Sequence, residues 1–229
     1  MAGLLIAFSA SATSFTITTI TRVPGYFAGT GGEFTVVPGD ATGQSFLNNG
    51  YVPATEVSVG GVLGWQSFCM EQHEGLHGGP YTGILNDRAI NGGVGPAGDP
   101  LSIGVAWLYA KFATGTLPLY DYTVGVGRPN SARALQQAIW FLEDEIVSVS
   151  DPTFLNMAIA KFGTLAAAHA DNNGTYPVDV INVYGPNRLL QQDQLVLTKP
   201  PGSPDGGAAL MLLGMGLTSL ALFSRITRK

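Results

Sequence analysis

The feature that most constrains this chain is a change of hydrophobic period along its length. In its N-terminal third, β-branched and aromatic residues alternate with polar residues, and Gly and Pro separate the segments. The segments are SFTITTITRV at 14–23, GEFTVVPG at 32–39 and TEVSVGGVLGWQSFCME at 55–71. A period of two is typical of strands with one face in water. These segments therefore predict a sheet with one solvated face.

In the middle of the chain the apolar residues recur at i, i+3 and i+4, which predicts helices. The three helical segments are 101–112, 131–147 and 151–170. Asn130 or Ser131 is the candidate N-cap of the second helix. For the third helix, Asp151 is the candidate cap, with Pro152 at the first helical position.

The alternating pattern returns at Val178–Tyr184 and at 194–198. Strands, then helices, then strands predict one α+β domain over residues 13–198, with helices inserted into an antiparallel β framework. The net charge of -5 and a pI near 5.0 argue against nucleic-acid binding, which needs clustered Lys and Arg. Cys69 is the single cysteine, so no intramolecular disulfide can form.

The C-terminal run from Gly206 to Phe223 contains 18 uncharged, mostly apolar residues. As a helix it would be about 27 Å long, close to the hydrocarbon thickness of a bilayer. Arg225, Arg228 and Lys229 follow it, and the positive-inside rule places them in the cytoplasm and the preceding chain outside. Residues 206–229 therefore predict a transmembrane tail with a basic end. The alternative, a buried core helix, does not explain the basic cluster.

A Pro/Gly linker at 199–205 precedes this helix and is predicted to be exposed. Its end resembles the sorting tails of bacteria with exosortases, of the PEP-CTERM and VPDSG-CTERM types. The residues that match the signature are Pro204, Asp205, Gly206 and Gly207. Ser203 departs from it, since the VPDSG type has Val there. The resemblance implies that an exosortase-type enzyme recognises the tail and that the body reaches the cell surface or matrix.

The N-terminus, residues 1–12, predicts a signal peptide. Leu4–Ala12 is apolar and runs into an A-x-A site at Ala10-Ser11-Ala12, so cleavage is expected after Ala12. No Lys or Arg occurs before Arg22, which indicates either a start further upstream or a weak signal. The alternative is an N-terminal core strand. With the tail, this segment predicts an exported, membrane-anchored protein of the cell envelope.

Two short segments carry a second resemblance. Phe68-Cys69-Met70 and, downstream, Leu135-Gln136-Gln137-Ala138-Ile139-Trp140 resemble the paired signatures of bacterial thioester domains. Ala106-Trp107-Leu108-Tyr109 and Phe112 fit the layout of the same family. The resemblance implies that Cys69 and Gln136 form an internal thioester, and Gln137 falls off the motif.

Such a bond forms when the thiol attacks the side-chain amide and ammonia leaves. It stores an acyl group that can later acylate an amine on a partner. Water must be kept out, and Phe68, Met70 and Trp140 are candidates for the apolar shield. The alternative interpretation is that Cys69 is a buried strand residue and Gln136 an exposed helix residue.

Three further motifs are weaker. His73-Glu74-Gly75-Leu76-His77 matches H-E-x-x-H, but Gly75 and the following Gly-Gly-Pro disfavour the helix that a zinc protease needs, so a solvated turn is predicted. His169 or a distant carboxylate would have to be the third ligand. Glu143-Asp144-Glu145 predicts a solvated helix face. Asn173-Gly174-Thr175 is a sequon that predicts a turn.

The sequence thus predicts covalent attachment to an amine-bearing surface or matrix partner, without enzymatic turnover and without a cofactor. One alternative is a non-covalent structural or matrix protein that keeps the motif residues only as core. The other is a zinc hydrolase that uses His73 and His77.

Overall fold

The computed structural model describes residues 13–91, 98–125 and 127–199. All of these residues belong to one compact unit. The predicted signal peptide and sorting tail lie outside the described residues. Within the described residues, no helix is long and apolar enough to span a membrane.

The strands confirm the predicted α+β class with an antiparallel framework. Along the described chain the strands are β1 (Ser14–Ala28), β2 (Gly31–Pro38), β3 (Glu56–Val59), β4 (Val62–Ser67), β5 (Tyr81–Asn86), β6 (Arg88–Ala89), β7 (Asp99–Pro100), β8 (Val178–Tyr184) and β9 (Gln194–Leu197). Seven of them form one antiparallel sheet in the order β3-β4-β2-β1-β5-β8-β9, and β6 pairs with β7.

The chain just after β4 forms hydrogen bonds with β9, the strand at the far end of this sheet. The Leu195 N–H donates to the Phe68 carbonyl at 3.0 Å, and the Met70 N–H donates to the Asp193 carbonyl at 3.1 Å. Cys69 lies between these bonds and forms an isolated bridge with Gln194. Because β9 also pairs with β8, the sheet closes into a ring, and Cys69 lies at its seam.

The prediction of one solvated face is confirmed for β1 but wrong for β2. The first half of β1 alternates exposed and buried residues, whereas every residue of β2 is buried. The helix Gly127–Leu142 packs on β2, and β1 and β4 pair with its two edges. Burial of every residue shows that both faces of β2 are covered, so the polar residues that alternate in its sequence do not mark a solvated face.

The predicted helices are present with different bounds. They are α2 (Ile103–Ala113), α3 (Gly127–Leu142), α4 (Thr153–Phe162) and α5 (Leu165–Ala168), after a short α1 (Ala41–Ser45). α3 packs on β1 and β2, α2 packs on β8 and β9, and α4 contacts both helices. The helices thus pack along the sheet from β1 and β2 to β8 and β9.

The predicted start of α3 is wrong by four residues. The helix begins at Gly127, so Asn130 and Ser131 lie inside it and neither is the N-cap. Pro129 falls in its first turn, where the missing N–H has no intrahelical partner to lose. The proline therefore extends the helix backward instead of blocking it.

The predicted end of α3, at Val147, is also too late. The helix stops at Leu142 because Asp144 takes a left-handed conformation with φ 56°. The Glu145 N–H then donates to the Trp140 carbonyl at 2.8 Å, which is the bond of a Schellman motif. Asp takes the place usually held by Gly, so the sequence gives little warning of this ending.

The third predicted helix, 151–170, is two helices. Gly163, with φ 86°, ends α4 before α5 begins at Leu165. The predicted cap is wrong by one residue, because Pro152 is the N-cap of α4; Asp151, one position earlier, accepts the Thr153 N–H at 3.0 Å. Pro152 precedes the first helical residue by one position instead of occupying it.

Candidate functional site

Cys69 and Gln136 lie in direct contact, although 67 residues separate them in the chain. The Cys69 thiol donates to Gln136 Oε1 with a sulfur–oxygen distance of 3.3 Å, and both residues have no exposed surface. Since a C=O bond is about 1.23 Å long, the sulfur lies within about 4.5 Å of the amide carbon. Gln136 is therefore not the exposed helix residue of the alternative interpretation.

Backbone groups fix the orientation of the Gln136 amide. Its oxygen accepts the N–H of Gly32 at 2.9 Å and the N–H of Cys69 at 3.3 Å. Its nitrogen donates to the Cys69 carbonyl at 2.8 Å. Because a main-chain N–H only donates and a carbonyl only accepts, the oxygen must face the two N–H groups. Two donors that converge on one carbonyl oxygen are the arrangement that stabilises an oxyanion.

Gly31 allows β2 to lie directly over this pair, and Gly32 allows β2 to pass close to the backbone of β1. A Cβ on Gly31 would be 2.7 Å from Cys69 Sγ and 3.0 Å from Gln136 Cδ, both closer than ordinary van der Waals contact. Gly32 has φ +140°, and a Cβ there would be 2.5 Å from Phe27 Cα. Sequence reasoning missed both glycines. The available signal was a Gly-Gly pair within a strand, which often marks close approach of a backbone.

Of the three predicted shielding residues, Trp140 has contacts that reach the pair. Its ring atom Cζ2 lies against Gly31, beside the sulfur and the amide carbon. Phe68 and Met70 are fully buried, and the Phe68 ring packs edge-to-face on Phe112 of α2 at 5.0 Å. Phe68 therefore contributes to the core between seam and helices.

Burial raises the pKa of the Cys69 thiol well above its usual value, and the nearby Glu71 adds to the shift. The Gly32 N–H and the Trp140 indole oppose it. The indole N–H makes no hydrogen bond of ordinary geometry, so its effect is weak. The thiol therefore stays protonated in the folded protein, and little thiolate is available to external electrophiles.

A buried pair of carboxyl groups lies two residues from the cysteine. Glu71 Oε2 accepts the Asp193 N–H at 2.8 Å, and burial raises the pKa of both side chains, that of Asp193 to about 6. Asp193 also accepts N–H groups of Ile90 and Val183, each at 2.9 Å. These donors favour the charged form of Asp193 and oppose the effect of burial on its pKa.

The tip of the β1–β2 hairpin, Ala28–Gly31, closes over the site. The Thr30 hydroxyl donates to the Gln72 carbonyl, and Arg22 donates to the Gly29 carbonyl at 2.9 Å. Arg22 also lies over the Phe27 ring, 4.9 Å from its centroid. These contacts lie at the surface, and each is weak by itself.

The H-E-x-x-H segment has no helix. Residues 71–80 are irregular, His73 and His77 are exposed, and the His77 N–H donates to Gln191 Oε1 at 2.6 Å. His169 lies near the end of α3, where its Nδ1 is 3.8 Å from Asp144 Oδ1. In the part of the chain that the structure describes, no three His, Cys, Asp or Glu residues are grouped to hold a metal ion. The predicted turn fits this geometry better than a zinc site.

The solvated face predicted at the end of α3 is wrong for Glu143. This side chain is 2% exposed and accepts the Ser102 N–H at 3.1 Å and the Ser102 hydroxyl at 2.8 Å. Because α3 stops before it, the carboxyl group turns inward to the start of α2, and burial raises its pKa. The sequon at Asn173 is a turn, as predicted, with φ 46° at that residue.

Comparisons with protein-family models, with curated proteins and with solved structures found no match to this chain.

Proposed function

We propose that this protein forms an internal thioester between Cys69 and Gln136 and uses it to attach covalently to amine-bearing partners at the cell surface or in the matrix. The observation that carries the proposal is the buried contact of the Cys69 sulfur with the Gln136 amide, whose oxygen accepts two backbone N–H groups. A core cysteine would need neither the polar partner nor the converging donors.

In the forming step, the sulfur attacks Gln136 Cδ and negative charge develops on Oε1. The Gly32 and Cys69 N–H groups, already bonded to that oxygen, stabilise this charge without reorganisation. The carbon–nitrogen bond then breaks, the thiol proton passes to the departing nitrogen, and ammonia leaves. The fold holds the reacting atoms together, which removes the entropic cost of their encounter.

In the attachment step, a primary amine attacks the same carbon and the carbon–sulfur bond breaks. The product is a secondary amide on Gln136, and the amine proton returns to the sulfur as a free thiol. The Cys69 carbonyl, which accepts the Gln136 amide N–H before the thioester forms, is left to accept an N–H of the incoming amine. This carbonyl therefore orients the acceptor nitrogen in the place that the departing nitrogen held.

The proposed cellular location rests on the sequence of the two ends. A signal peptide at 1–12 would export the chain, and the segment Gly206–Phe223 would anchor it as a transmembrane helix until an exosortase-type enzyme processes the signature at Pro204–Gly207. Burial of the pair limits hydrolysis, because an acyl thioester that is open to water is lost to it.

The test is the intact mass of residues 13–199 before and after incubation with methylamine. The proposal expects a mass lower by one ammonia, which then rises by one methylamine. Cys69→Ala, with its fold checked by circular dichroism, is the matched control because it removes the nucleophile, and it should show the unmodified mass throughout. An unmodified mass for the parent protein would refute the thioester and favour a non-covalent surface or matrix protein.

A further inference from the structure

A surface cavity of about 440 Å³ lies beside the Cys69–Gln136 pair. α3 lines it with Arg133, Gln137 and Trp140, and the β1–β2 hairpin lines it with residues 27–29. Trp140 belongs both to this cavity and to the enclosure of the pair, since its ring also lies against Gly31 next to the sulfur and the amide carbon. We call this the α3 cavity.

An acceptor that enters the α3 cavity would reach the reacting carbon by displacing the indole or the hairpin tip. The other large cleft, of about 560 Å³, lies on the opposite flank of the hairpin and is lined by Arg22, Thr30 and Leu76 among others. Trp140 does not line that cleft. Of these two cavities, the α3 cavity is thus the one whose lining includes the ring beside the reacting atoms.

Arg133 is the charged residue among those that line the α3 cavity. It is exposed, and its Nε makes a long hydrogen bond of 3.5 Å to the Phe27 carbonyl. Gln137 is already engaged, because its Oε1 accepts the Ser150 N–H and hydroxyl. The Glu145 carboxylate accepts the Gln72 N–H at 2.9 Å but does not itself line the cavity. The charge on the cavity wall is thus the Arg133 guanidinium, which suits a planar carboxylate.

We propose that the α3 cavity is the acceptor site of the proposed thioester, and that Arg133 selects primary amines that carry a carboxylate nearby, as a lysine beside an acidic group does. This inference rests on the proposed function and adds the substrate class. The chemistry is the attachment step already described, so no further reactant is needed. Arg133 acts as a specificity residue and takes no part in bond breaking.

The experiment compares two acceptors that differ only in charge, Nα-acetyl-lysine and Nα-acetyl-lysine amide, with residues 13–199 at low salt. The rate of mass gain should be about two- to fivefold higher for the carboxylate form, the effect of one exposed ion pair. In Arg133→Gln the two rates should become equal. Lys161→Gln, an exposed cation on α4 that lines neither cavity, is the control and should keep the preference.

Salt provides a measurement without a variant, because the Debye length falls to about 3 Å at 1 M. The preference of the parent protein should largely disappear there, while the rate with the uncharged form changes little. Equal rates in the parent protein at low salt, or a preference that survives in Arg133→Gln, would overturn the acceptor class. A parent mass without the loss of ammonia would instead refute the thioester itself. Failure of the acceptor class and failure of the proposed function therefore give different results.

Discussion

The substitution Gly31→Ala tests the site most directly. Its methyl group would lie 2.7 Å from Cys69 Sγ and 3.0 Å from Gln136 Cδ, with Trp140 Cζ2 also in its way. Ordinary contacts need about 3.5–4.0 Å, so the sulfur must move by about 1 Å or β2 must lift off. Overpacking of this kind costs about 1–3 kcal/mol of unfolding free energy.

The same displacement acts on the reaction. A misplacement of about 1 Å can slow a positioned reaction by about 100-fold, so Gly31→Ala should leave most of the protein with its ammonia and a free thiol. Intact mass over time gives the rate of thioester formation, and urea unfolding gives the stability. Both are needed, because a variant that is merely unfolded would also fail to react.

Gly75→Ala is the matched control. A Cβ there would meet only the His77 ring, at 3.4 Å, so both stability and thioester formation should stay close to those of the parent protein. If Gly31→Ala formed the thioester at the parental rate with unchanged stability, the close cover of β2 over the pair would be refuted.

Three more predictions follow from buried groups. In Gln136→Ala, which cannot form the bond, Cys69 should react with iodoacetamide only after unfolding; fast labelling of the native protein would contradict its burial. Glu33→Ala should cost about 3–5 kcal/mol in urea unfolding, because it leaves the Arg128 guanidinium buried without its carboxylate; a loss below about 1 kcal/mol would refute this. Asp99 has a pKa of about 6 in the folded protein, from burial and nearby carboxylates, against about 3.9 when unfolded. The folded state therefore holds this proton more tightly, stability should fall as the pH rises from about 4 to about 7, and Asp99→Asn should flatten that fall; an unchanged slope would count against it.

The sequence was informative where the identities of the side chains mark a structure or a site. The periodicity predicted the helices around Ala106 and Ala138, and the resemblance to thioester domains pointed to Cys69 and Gln136, which the fold brings into contact. These features depend on local patterns, which survive without knowledge of the rest of the chain.

The sequence was less informative where main-chain groups or tertiary contacts determine the structure. The donors to the Gln136 oxygen are main-chain N–H groups, which every residue but proline has, so only Gly31 and Gly32 hint at them. β5, at Tyr81–Asn86, was not predicted, because Gly83 interrupts a short run that follows a turn. Glu143 is buried because of where α3 stops and where α2 starts, and that is a tertiary fact.

The wide spacing of the two reacting residues has a mechanical meaning. A thioester between them would close a covalent loop of 67 residues from the sheet seam to α3. By the argument used for disulfides, such a loop restricts the unfolded chain and raises stability by about 4 kcal/mol. Transfer of the acyl group to a partner opens the loop. A domain that has reacted should therefore melt at a lower temperature than one with its thioester intact. Attachment would thus exchange a cross-link within the protein for one between molecules.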